Sequence, residues 1–79
     1  MDRAALQKVL ALAVAHVRSG ERQIAKQTQI VQDLRRGGHE TATARAILET
    51  FLEIQDTFQG DLARLSNELD VVQASHRST

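Results

Sequence analysis

The sequence predicts an all-α fold: two long antiparallel helices forming a hairpin with a coiled-coil-like seam. Three observations carry that prediction. The 79 residues hold no proline and only four glycines, and Ala, Leu, Gln, Glu and Arg dominate, all of them good helix formers. Apolar residues recur every seven positions in both halves, which is the period of a helix packed along a seam. The one strong punctuation, Gly37-Gly38, falls near the middle of the chain.

The first helix is expected over about residues 2–36. Leu10, Val17, Ile24 and Val31 form one core row, and Leu6, Ala13, Gly20, Gln27 and Leu34 the other. Arg35-Arg36 followed by glycine is a helix C-terminus signal, because basic side chains suit the negative end of the helix and glycine tolerates the left-handed turn beyond it. The turn is expected at 37–40. Thr41, a better capping type than Glu40, then opens a second helix over about 41–74. Its rows are Leu48, Gln55, Leu62, Leu69 and Ala44, Phe51, Phe58, Leu65, Val72. Residues 75–79 form a polar tail expected to fray. So short a connection makes the helices antiparallel neighbours in one domain spanning 1–79. One register sets residue i near 78 or 79 minus i, with Gly20 against Phe58 and Ala13 against Leu65. A register shifted by one turn sets Gln27 against Gln55.

Formal charge is zero, ten basic against ten acidic side chains, so no global field argues for nucleic acid or an anionic membrane. The halves differ. Residues 1–38 carry seven bases against three acids, a net of +4, and residues 39–79 three bases against seven acids, a net of −4. That favours their lying side by side. The apolar stretch Ala4–Val17 falls short of the roughly 20 residues that span a bilayer, and Lys8 interrupts it. As a secretory signal it has one basic residue ahead of it and a lysine inside, so a cytoplasmic location is expected.

A domain this small hides only about 60% of its unfolded surface, and without cysteine it has neither a disulfide nor a thiolate metal site to staple it. Yet the seam does not use all the apolar residues. Val9, Leu12, Val14 and Ile30 flank it on the first helix, and Ile47, Leu52, Ile54 and Val71 on the second. Surplus apolar surface of this kind marks an interface. A homodimer forming a four-helix bundle is the simplest way to cover it, and a heterologous helical protein is the other.

Gln27 and Gln55 interrupt otherwise apolar rows. They read as a polar layer that sets register; the alternative is a ligand-sensing bundle in which Gln27, Gln55 and His16 face a core pocket. Gly20, inside a core row, implies close approach by a bulky partner or a break in the first helix. Arg18, Arg22 and Lys26 form a basic stripe, but nucleic-acid binding would want aromatics or more net positive charge. A solvated face, or one that meets acids of a partner helix, is the better reading. His16 and Glu21 are five apart, not the three or four that share a helical face. No Glu-x-x-His pair, P-loop, nucleophile elbow or HExxH occurs. No catalytic residue, metal or cofactor is expected, and the function expected is non-enzymatic.

The run from His16 to Gln27 resembles a family of short, uncharacterised, largely alphaproteobacterial proteins with the pattern HVxxGExxIxxQ, then GHDT, then LLxxFxxxQ. Here the later parts read Gly38-His39-Glu40-Thr41, then Ile47-Leu48, Phe51 and Gln55. Glu40 stands where that family has aspartate, and Phe58 where a histidine is common. The resemblance implies a helical hairpin of bacterial cytoplasmic origin and no particular activity.

Overall fold

The computed structural model describes residues 2–77, with side chains through Ser75. Two helices make up the fold, α1 (Arg3–Arg36) and α2 (Ala42–Arg77). They pack lengthwise into a rod of 64 × 15 × 14 Å. Among the described residues there is no strand, and α1 runs through Ser19-Gly20 without a break.

Asp2 caps α1, its Oδ1 accepting from the Ala5 N–H at 2.7 Å. The carboxylate answers both an orphan donor and the positive end of the helix dipole. At the other end the Gly38 N–H donates to the Arg35 carbonyl at 3.1 Å and the His39 N–H to the Leu34 carbonyl at 2.9 Å. This paired pattern satisfies the last carbonyls and needs a residue in the left-handed region just past the cap. Gly38 supplies it with φ 73°.

The start of α2 differs from expectation in one detail. Thr41 takes the capping position by its backbone, its carbonyl accepting from the Arg45 N–H at 2.8 Å. The side chain that reaches an orphan donor is Glu40, whose carboxylate accepts from the Ala42 N–H at 2.8 Å. The end differs too: α2 continues to Arg77, past Ala74. Nothing after Gly60 is a glycine or proline, so nothing obliges it to stop earlier. Ser78 and Thr79, the rest of the expected tail, lie outside the described residues.

The seam buries Leu6, Ala13, Val17, Gln27 and Val31 of α1 against Ala44, Gln55 and Leu65 of α2. All eight belong to the heptad rows. Leu6, Ala13 and Leu65 form a cluster at the open end of the hairpin, with Leu10, Leu62, Leu69 and Val72 packed around it. Buried apolar area is the main favourable term here, at about 25 cal/mol per Å², but a single seam offers little of it.

The register comes from the two glutamines. Gln55 Nε2 donates to the Val17 carbonyl at 2.8 Å, and Gln27 Nε2 donates to the Ala44 carbonyl at 2.9 Å. Each helix therefore sends one buried amide to the other's backbone. Gly20 lies against Gln55, not Phe58, and the two glutamines hold different carbonyls instead of each other. Residue i of α1 thus stands roughly level with residue 75 − i of α2, as Gly20 does with Gln55. The opposite charges of the halves contribute no close pair to this alignment. Among the described residues the ion pairs are Arg36–Asp33 at 2.7 Å and Arg64–Asp61 at 3.4 Å, both within one helix and exposed.

Candidate functional site

A two-helix hairpin has two broad faces, and helical spacing assigns the flanking residues to them. On one face a groove of about 520 Å³ is lined by Val9, Leu12 and His16 of α1 and by Phe58, Asp61, Arg64 and Glu68 of α2. Ile30 follows His16 by two seven-residue repeats, so it continues the same line along α1. Ile47 and Ile54 precede Asp61 by two repeats and one, and Val71 follows Arg64 by one. Residues spaced by sevens return to nearly the same side of a helix. Val9, Leu12, Ile30, Ile47, Ile54 and Val71 therefore share this face.

The opposite face has a groove of about 380 Å³, lined by Glu21, Ile24 and Ala25 of α1 and Leu52, Gln55, Asp56 and Gln59 of α2. Val14 precedes Glu21 by seven and so belongs here with Leu52. The eight flanking residues are thus divided six to two. The division is sharper in exposure: among the described residues Leu12 (61% exposed), Val71 (66%), Ile30, Ile47 and Ile54 stand on the first face, and of the large exposed apolar residues Leu52 alone on the second. Val9 and Val14 are half-buried. Between Ile30 and Ile54 the Leu12 line brings one charge, Lys26, to the border of this face, whereas Asp61, Arg64 and Glu68 occupy the half toward the open end.

The three polar candidates do not converge. Gln27 and Gln55 are buried in the seam and commit their amide donors to helix carbonyls. Gln55 Oε1 is left without a partner and sits against Gly20, where a Cβ would come within 2.7 Å of Gln55 Cδ. His16 is exposed on the first face, its ring stacked on Phe58 with centroids 5.0 Å apart and planes 26° apart. Row spacing alone places Phe58 in the seam and does not foresee that stack. His16 and Phe58 lie within one residue of level by the Gly20–Gln55 alignment, so the register, once known, brings the two rings together.

Arg18, Arg22 and Lys26 are all exposed. Lys26 follows Leu12 by two repeats and borders the first face, while Arg22 points to the outer edge. Among the described residues no three His, Cys, Asp or Glu side chains are grouped to hold a metal ion, and no helix is long and apolar enough to cross a membrane.

Comparison with known proteins returns no matching family model, curated protein or solved structure.

Proposed function

We propose that this chain is a non-enzymatic interaction protein that self-associates through the Leu12–Ile30–Ile47–Ile54–Val71 face into a four-helix bundle. The observation that carries the reading is surface area. A compact monomer of 8.8 kDa should expose about 4,800 Å² by the size scaling of folded monomers. This chain exposes 5805 Å². The surplus, roughly 1,000 Å², matches the ~800 Å² that each partner contributes to a standard interface. Its apolar part is concentrated on one side, which is where a second layer of helices completes a core.

Sedimentation equilibrium across a dilution series tests this. The expected result is a mass of two chains at micromolar concentration, falling toward one on dilution. A single-chain mass throughout, with the helices intact by circular dichroism, would overturn it. A mass of one chain that rises only on adding a host helical protein would assign the face to a heterologous partner instead.

A further inference from the structure

Resting on the self-association just argued, the charge layout points to one arrangement of the two copies: we propose that they stack with their Gly37-Gly38 bends at the same end, each α1 lying over the partner's α2.

Two twofold arrangements bring the same face together. If the axis runs along the rod, the bends coincide and α1 covers the partner's α2. If it runs across the rod, the bends lie at opposite ends and each helix covers its own copy. The first sets the half of net charge +4 over the half of net charge −4, and the second sets like over like. Complementary charge selects register and rejects wrong pairings even where it adds little affinity.

Individual residues agree with that choice. Arg22 is one turn from Ser19 and Lys26, which continue the Leu12 line on the outer edge of the face. Glu53 is one turn from Thr50 and Thr57, which continue the Val71 line on the opposite outer edge. The numbers 22 and 53 satisfy the level rule set by Gly20 and Gln55. Bends together, Arg22 of each copy therefore stands level with Glu53 of the other. Both are exposed, and among the described residues neither is in an ion pair within its own chain. With bends apart, Arg22 would approach its own copy.

The apolar residues fit as well. Ile30 and Ile47 lie within two residues of level, so the two copies would close a four-isoleucine layer near the bends. Val71 comes within one residue of level with Ala5, which precedes Leu12 by seven, the large residue over the small one.

Because the chain has no cysteine, His39→Cys at the exposed bend can be spin-labelled in the full chain. Pulsed electron resonance on the dimer should give a label separation of about 20–30 Å, set by interaxial distances of roughly 10 Å plus label arms. Bends at opposite ends of a 64 Å rod would give about 50 Å or more, and would overturn the arrangement while leaving self-association standing. No dipolar coupling at all would overturn self-association itself. As a second measurement, Arg22→Glu and Glu53→Arg should each weaken the dimer about tenfold, two pairs being lost per dimer, and the double swap should restore it. Non-restoration would contradict the pairing.

Discussion

Gly20 leaves the space that Gln55 fills: a methyl group on Gly20 would overlap the carboxamide of Gln55, whose Nε2 donates to the Val17 carbonyl at 2.8 Å. Two residues that break the apolar rows are thus one device, the glycine making room for the glutamine. It fixes how far α2 slides along α1.

Gly20→Ala tests that device. In an open helix interior the change would stabilise by about 1 kcal/mol. Here the methyl displaces the Gln55 amide and leaves a buried polar group unpaired, which costs about 1–3 kcal/mol. Denaturation at fixed protein concentration should show a net loss of about 1 kcal/mol. In a Gln55→Ala background the same change should become stabilising, so the double-mutant cycle gives a coupling energy clearly different from zero. Equal effects in both backgrounds would refute the link.

Gly60 is the control. It is helical, and nothing lies within 4 Å of where its Cβ would be. Gly60→Ala should stabilise by about 0.8–1 kcal/mol and raise the midpoint of thermal unfolding by about 4–8 °C. A loss of stability would show that the outer side of α2 is occupied there.

Gln55→Leu should change stability little, within about 1 kcal/mol, because it removes an orphaned Oε1 along with one hydrogen bond, and the Val17 carbonyl keeps its place in the α1 ladder. Its effect should fall on uniqueness. With Gln27→Leu added, neither cross-helix amide remains, and spin labels on α1 and α2 should report a broadened set of interhelix distances. A single sharp distance in the double variant would show that the apolar rows alone define the register.

At the bend, Gly38→Ala places a side chain at φ 73°. That should cost about 1–2 kcal/mol, and a neutral result would mean the turn can relax.

Those outcomes mark where the sequence is legible. Periodicity tells which side of a helix is buried, so Leu6, Val17, Val31 and Leu65 could be placed in the seam from their spacing alone. The diglycine preceded by two arginines located the bend, because its cap geometry is local. Register is not local. Several slides along the seam set small residues against large ones, and the decision rests on which carbonyl a glutamine amide can reach. Row spacing likewise marks Val14 and Leu52 as flanking residues but does not say that they share a side opposite Leu12 and Ile54. That requires the two helices to be set beside each other.

The one-sidedness of the exposed apolar residues is the claim on which the functional reading turns, and the equilibrium mass of two variants tests it most directly. Ile54→Glu puts a carboxylate in the middle of the proposed interface, and Leu52→Glu puts one on the other side of the same helix at similar exposure, 45% against 49%. Sedimentation at one micromolar-range concentration should find Ile54→Glu as a folded single chain and Leu52→Glu still paired. Equal masses for the two, or dissociation by Leu52→Glu alone, would contradict the account.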